Sequence, residues 1–153
     1  MPSTRAAAKS ARPIAVAVAI FAVALAVAAA IKRAPPDFAS LPPIATVRDA
    51  AQLPLWTLRL APAAHQIAVD GVGAAPPPAG RAYQLWLAGK DGPQSLGLLP
   101  DAGHKIIAET PGLIGRLAAG GQVLVTLEPA RGSDTPQPNG PVVFRAAVLA
   151  GKG

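Results

Sequence analysis

A run of eighteen residues without a charged or polar side chain, Ile14 to Ile31, follows the first thirteen residues of the sequence. As an α-helix this run would be about 27 Å long, close to the roughly 30 Å hydrocarbon thickness of a bilayer. Nine of its residues are Ala and nine are Ile, Val, Leu or Phe, so its insertion is favourable by a small margin. The run therefore predicts one transmembrane α-helix over residues 14–31.

Basic residues flank the run on both sides: Arg5, Lys9, Arg12, Lys32 and Arg33. The positive-inside rule then makes residues 1–13 a short basic cytoplasmic tail, by a margin of one side chain. A cleaved leader is the alternative, because residues 28–30 are all Ala and offer a small-residue cleavage site. Eighteen residues exceed the usual apolar region of a leader, about 7–15 residues, which favours a retained anchor. Both alternatives export the rest of the chain.

The formal net charge of +6 comes mostly from the N-terminal segment. Residues 1–33 hold five Lys or Arg and no acid, so residues 34–153 carry nine basic and eight acidic side chains. Because this body is nearly neutral and has no basic stripe, we expect no binding to nucleic acid. The sequence has no Cys, which excludes disulfides, thiolate metal sites and a lipid-modified cysteine.

Proline marks the stretch that follows the apolar run. Residues 32–54 show neither helical nor strand periodicity and include Pro35, Pro36, Pro42, Pro43 and Pro54. This composition predicts a semi-rigid extended tether, whose unpacked backbone would be open to proteases near the membrane. Residues 55–150 follow and are numerous enough for one sandwich-sized domain.

Short apolar segments separated by Gly and Pro turns indicate β-strands in residues 55–150. We predict seven strands: 55–60, 66–72, 81–88, 94–99, 104–109, 122–128 and 141–149. One short helix is predicted over Leu113 to Ala119, with Thr110 as N-cap and Pro111 at its first position. Gly120 or Gly121 would end it. The predicted fold is all-β, an antiparallel β-sandwich of about seven strands preceded by one transmembrane α-helix.

Residues that could carry chemistry are few and poorly spaced. His65 and His104 are the only His residues, too few for a transition-metal site without Cys. Ser95 lacks the Gly spacing of a nucleophile elbow, and nothing indicates that Glu109 and Glu128 converge as a glycosidase pair. We therefore expect a protein that is not an enzyme, without catalytic, cofactor-binding or metal-binding residues.

Two segments carry the most specific pattern in the chain. Their residues are Tyr83, Leu85, Trp86, Ser95 and Gly97 in the first, and Thr126, Glu128, Pro129, Gly132, Ser133, Gly140 and Pro141 in the second. In order and spacing, residues 55–150 resemble the C-terminal domain of the anti-sigma-K factor (RskA) family. Arg131 stands where that family has a second Gly, and Asn139 replaces a Thr, differences that alter a turn more than a core.

The residues themselves favour a scaffolding role for these motifs. Tyr83 and Trp86 are predicted to be large core or inter-sheet side chains, with partners for the hydroxyl and the indole N–H. Glu128 is placed to accept N–H groups from the turn at Gly132 and Ser133, as a structural latch. We nominate none of them as a binding residue.

The resemblance implies a single-pass protein of the cell (inner or plasma) membrane, with an extracytoplasmic (periplasmic) sensor domain and a role in the regulation of sigma factor activity. Envelope proteases inactivate such regulators. A sigma-binding domain needs many tens of residues, so we expect this chain to lack one, with the cytoplasmic part either missing or supplied by a separate polypeptide. The expected partner is a sigma factor or that separate anti-sigma subunit. The alternative is a stand-alone envelope or secreted β-sandwich, an interaction or structural domain without a transcriptional role.

Overall fold

A computed structural model of the chain describes residues 35–108 and 110–150. The apolar run from Ile14 to Ile31, the basic tail before it and Glu109 lie outside these residues. Within the described part of the chain, no helix has the length and apolar character needed to cross a bilayer. The transmembrane helix and the cytoplasmic tail therefore stay predictions from the sequence.

The described residues form two antiparallel sheets of four strands each. The strands are β1 (Pro43–Arg48), β2 (Pro54–Ala61), β3 (Gln66–Gly71), β4 (Arg81–Ala88), β5 (Gln94–Leu98), β6 (Gly103–Ala108), β7 (Gly121–Pro129) and β8 (Val142–Val148). Sheet A has the order β1-β2-β3-β6 and sheet B the order β5-β4-β7-β8. One α-helix, α1 (Leu113–Ala118), and two 3-10 turns, Phe38–Ser40 and Pro62–Ala64, complete the described structure. The predicted all-β antiparallel fold is confirmed, and each of the seven predicted strands is present with ends that agree within one residue.

The eighth strand, β1, lies inside the segment predicted to be a tether. It pairs with β2 and buries Ala45 and Val47 in the core. Pro43 is tolerated because it starts a strand at the edge of the sheet, where a missing N–H costs no ladder bond. The tether prediction is therefore wrong for residues 43–48. The high proline content of this segment argued for a tether, although buried and less buried residues alternate there as in a strand. The compact unit that contains the sandwich begins at Pro36, well before the predicted boundary at residue 55.

The hydrophobic core lies between the two sheets and includes residues of both. Sheet A contributes Ala45, Val47, Leu55, Trp56, Leu58, Ile67 and Val69, and sheet B contributes Leu85, Leu87, Leu96, Val123, Val125 and Val148. The fully buried Trp56 crosses the core, with its ring edge-on to Tyr83 at a centroid distance of 5.1 Å. Its indole Nε1 donates to the Pro100 carbonyl at 2.8 Å, so this large side chain is both packed and satisfied.

Helix α1 lies in the connection between β6 and β7. It buries Leu113 and Leu117 and ends at Ala118, one residue before the predicted end. Gly112, with φ of 78°, is the N-cap, so the assignment of that role to Thr110 was wrong. A glycine there allows a left-handed turn that leads the chain into the helix.

Candidate functional site

The motif residues on β4 divide between the two faces of sheet B, as strand alternation requires. Leu85 belongs to the inter-sheet core, and the half-buried Tyr83 packs against it. Gln84 and Trp86 point to the outer face, where both are buried. Trp86 Nε1 donates to Thr126 Oγ1 on β7 at 2.9 Å, and neither residue is exposed to solvent. The indole N–H thus finds the partner that the sequence led us to expect.

Gln84, on β4, forms hydrogen bonds with two motif residues that are distant from it in the sequence, Ser95 and Ser133. Its Nε2 donates to Ser95 Oγ at 2.8 Å, and its Oε1 accepts from the Ser133 backbone N–H at 2.7 Å. Ser95 Oγ also accepts from the Gly97 N–H at 3.2 Å. A Cβ at Gly132, where φ is +88°, would lie 2.7 Å from Gln84 Oε1. Gly132 therefore allows the chain to approach sheet B closely enough for the Ser133 bond.

Glu128 is a completely buried carboxylate on β7. Its Oε2 accepts from the Gly140 backbone N–H at 3.0 Å, and its two oxygens lie 3.2 and 3.3 Å from the Asn139 nitrogen. At Gly140, a Cβ would lie 1.9 Å from the Leu127 carbonyl oxygen. The carboxylate thus holds a stretch of backbone in which only glycine fits at residue 140.

The predicted latch at Glu128 exists, but its predicted partners were wrong. We expected the N–H groups of Gly132 and Ser133, whereas Glu128 binds those of Asn139 and Gly140. Gln84 takes the Ser133 N–H instead. Both stretches lie in the loop of residues 130–141 between β7 and β8, the latch loop, and sequence spacing alone does not distinguish them.

The latch loop also carries an internal hydrogen-bond network. Ser133 Oγ donates to the Gln137 carbonyl at 2.5 Å, and Thr135 Oγ1 donates to Asn139 Oδ1 at 3.0 Å. Asn139 Nδ2 donates to Asp134. Asn139, which differs from the family pattern, is therefore well accommodated. The motif residues form one polar scaffold that fixes the latch loop against sheet B.

A second cluster of polar contacts lies on the outer face of sheet A, where the chain enters the sandwich. Residues 36–41, which we call the strap, form a 3-10 turn in which the Leu41 N–H donates to the Phe38 carbonyl at 3.2 Å. The Phe38 ring lies 5.8 Å from the His104 ring on β6. Arg59 Nε on β2 donates to the Leu41 carbonyl at 3.1 Å. Two strands of sheet A thus hold the strap.

Asp70 on β3 organises the side chains beneath the strap. It accepts from Arg59 Nη1, and its Oδ1 lies 2.7 Å from His104 Nδ1. The side chains of Arg59 and Asp70 are only 24% and 30% exposed, so the ion pair is partly shielded from water. Register explains the arrangement, because Asp70 lies directly opposite His104.

These three side chains were not predicted to form a site. His104 was considered only as one of two His residues too few for a metal site, and Arg59 and Asp70 received no role. Their outward positions follow from strand alternation, but their proximity depends on the pairing of β3 with β6, which are separated by the β4–β5 hairpin. Within residues 35–108 and 110–150, no group of three or more His, Cys, Asp or Glu residues is arranged to hold a metal ion.

Comparison with protein families identifies one match. A family model described as "Anti-sigma-K factor rskA, C-terminal" matches residues 13–142. This match confirms the resemblance based on the motifs. It also extends the resemblance toward the N-terminus, from residue 55 to residue 13, and so includes β1, the strap and the apolar run. Comparisons with curated proteins and with solved structures gave no match.

Proposed function

The chain belongs to the family of the anti-sigma-K factor RskA C-terminal domain, and on that premise we propose that it is part of a membrane-anchored anti-sigma-factor-type regulator. The observation that carries the proposal is the extent of the match. Residues 13–142 include the apolar run together with seven of the eight strands, as one family unit.

In this proposal the apolar run from Ile14 to Ile31 is a single-pass anchor in the cell membrane, with its N-terminal side in the cytoplasm. The β-sandwich is the extracytoplasmic sensor part. The basic residues before the run and the near-neutral charge of residues 34–153 support this orientation. The absence of Cys means that the exported sandwich depends on its own core and polar scaffold for stability.

In this proposal the sandwich acts through binding and conformational change, without catalysis. Buried motif side chains such as Gln84, Trp86 and Glu128 are engaged in hydrogen bonds within the fold. The proposed partners are a sigma factor, or an anti-sigma subunit that binds it, on the inner side, and envelope proteases on the outer side.

Membrane topology can be tested with introduced cysteines, since the sequence has none. We expect Asp91→Cys, at an exposed turn of the sandwich, to react with a membrane-impermeant maleimide in intact spheroplasts. Ser3→Cys should react only after permeabilisation. Labelling of both residues in intact spheroplasts, or of neither, would contradict the proposed orientation. The mass of the protein recovered from membranes distinguishes a retained anchor from a cleaved leader.

The regulatory role requires a transcriptional measurement. A strain that lacks the chain should show raised expression of a reporter driven by the cognate sigma factor, and expression of the wild-type chain should restore repression. A variant that lacks residues 36–150 is the matched control for the sandwich, because it keeps the apolar run. Unchanged transcription in the deletion strain would reject the regulatory role and favour a stand-alone envelope domain.

A further inference from the structure

Asn139, which Gly140 follows directly, is the only asparagine in the sequence. Asparagine before glycine is prone to lose its side-chain amide spontaneously, because glycine has no Cβ to hinder attack by its backbone nitrogen. Thr, which stands at this position in the family pattern, has no amide and cannot react in this way. The reaction is therefore available to this chain through its own departure from that pattern.

The reaction joins two atoms of these neighbouring residues. The Gly140 nitrogen attacks Cγ of Asn139, so that a new N–Cγ bond closes a succinimide ring. The Cγ–Nδ2 bond breaks, and ammonia leaves with the proton that the Gly140 nitrogen loses. Water then opens the ring at one of its two carbonyls. The product is either aspartate or isoaspartate, in which the main chain runs through Cβ and Cγ, and each carries a new negative charge.

The closed latch loop withholds the attacking nitrogen. The Gly140 N–H donates to Oε2 of the buried Glu128 at 3.0 Å. Gly140 also lies so close to β7 that a Cβ on it would be 1.9 Å from the Leu127 carbonyl oxygen. On the next residue, the Pro141 carbonyl accepts from the Leu127 N–H at 3.1 Å. The nitrogen is therefore occupied by a hydrogen bond and fixed against β7.

The side chain that would be attacked is also held, but less firmly. Asn139 Oδ1 accepts from Thr135 Oγ1 at 3.0 Å, and Nδ2 donates to Asp134. Both ends of the amide are thus engaged inside the latch loop, which restricts rotation of Cγ toward the Gly140 nitrogen. All three side chains are exposed, so water competes for these bonds. Water can also reach the amide, as opening of the succinimide requires.

Neither product fits the closed latch loop. Aspartate at residue 139 replaces the donor Nδ2 with an oxygen that faces the Asp134 carboxylate. Its charge also lies near Glu128, whose Oε1 is 3.2 Å from the backbone nitrogen of residue 139, and like charges repel. Isoaspartate adds one atom to the main chain before the Gly140 nitrogen, which moves that N–H out of register with Glu128. Both products therefore oppose closure of the loop.

We propose that Asn139–Gly140 is a self-modification site gated by the latch loop. The pair is protected while Gly140 is bound to Glu128, and it deamidates when residues 139–140 leave β7. Because ammonia is lost, the modification converts a reversible opening of the loop into a lasting one. The proposal goes beyond the proposed function and does not rest on it.

Deamidation of the full chain in detergent micelles at mildly alkaline pH tests the gating. Mass spectrometry of the peptide that contains residue 139 follows the reaction, and the chain unfolded in urea gives the unprotected rate. We expect the folded wild type to react at least about tenfold more slowly than the unfolded chain. Glu128→Gln should raise the folded rate by about tenfold, which corresponds to about 1.4 kcal/mol of opening free energy. Asp101→Ala, in the exposed turn between β5 and β6, should leave the rate unchanged.

A second variant separates opening of the loop from unfolding of the sandwich. Asp134→Ala changes an exposed side chain and should raise the rate about threefold by freeing the Asn139 amide. Hydrogen exchange in β4 should stay as in the wild type. Asn139→Thr should show no mass change in this peptide. Equal rates in the folded and unfolded chain, or wild-type rates in both Glu128→Gln and Asp134→Ala, would overturn the gating.

The effect of the modification is tested with Asn139→Asp, which has the same side chain as one product. We expect exchange of the Gly140 amide to be about tenfold faster than in the wild type, with unchanged exchange in β4. The Asn139→Thr variant is the matched control, because it adds no charge beside Glu128 and Asp134. Wild-type exchange at Gly140 in Asn139→Asp would show that the loop closes over the product and would refute a lasting opening.

Discussion

Replacement of Glu128 by Gln is the sharpest test of how the latch loop is held. The substitution keeps the size and shape of a completely buried side chain and removes its charge. Glutamine has one acceptor oxygen; in the place of Oε2 it keeps the Gly140 bond, but the NH2 group then replaces Oε1, 3.2 Å from the Asn139 nitrogen, so that two donors face each other.

The cost follows from these contacts. A hydrogen bond to a charged group contributes about 1.5–3 kcal/mol, and a buried donor left unsatisfied costs about 1–3 kcal/mol. Removal of the buried charge returns part of this loss, because an ionised carboxylate is expensive to bury. We therefore expect Glu128→Gln to lower the free energy of unfolding by about 2–3 kcal/mol. At about 4 °C per kcal/mol, the midpoint of thermal unfolding should fall by about 10 °C.

Two measurements test this expectation. Urea unfolding followed by tryptophan fluorescence gives the stability change, with Asp91→Asn as an exposed control that should shift stability by less than about 0.5 kcal/mol. Hydrogen exchange should show early loss of protection at the Asn139 and Gly140 amides. If Glu128→Gln unfolds at the same urea concentration as the wild type and keeps both amides protected, the carboxylate does not hold the latch loop.

Three further predictions concern Gly140 in the latch loop, Trp86 on β4, and strand β1. Gly140→Ala should destabilise the sandwich by about 3 kcal/mol in urea unfolding, because its Cβ would collide with the Leu127 carbonyl. Trp86→Phe should cost about 2–3 kcal/mol in the same assay, since it opens a void and leaves the Thr126 hydroxyl without its donor. Deletion of residues 1–48 should abolish the cooperative thermal transition, whereas deletion of residues 1–41, which spares β1, should preserve it.

Strand positions were readable from the sequence because each strand is short, alternates and ends at Gly or Pro. The pattern at residues 81–88 predicted the bounds of β4. β1 escaped prediction because residues 43–48 begin with Pro and carry only two core residues, Ala45 and Val47. The proline content of this segment led us to predict a tether and not a strand, although edge strands tolerate proline at their first position.

The candidate site was only partly readable, for a different physical reason. The motif identified Glu128 as a latch, but the choice between N–H groups at residues 132–133 and 139–140 depends on the path of the latch loop. The Arg59–Asp70–His104 cluster depends on contacts between strands that are distant in sequence. Alternation places each side chain on an outer face, but only the strand order brings them together.

The latch loop lies on the outer face of sheet B and the strap on the outer face of sheet A, so each segment can be released from the sandwich without the other. The latch loop is joined to sheet B by the buried Glu128 and Gln84, so its release would leave a buried carboxylate and a buried amide without their partners. The strap is joined to sheet A by partly exposed side chains, and its release uncovers no residue of the inter-sheet core. Local opening follows the lowest cost, so we expect the strap to open more often than the latch loop or the sandwich. The sandwich can therefore change the accessibility of the chain next to the apolar run while its own fold stays intact.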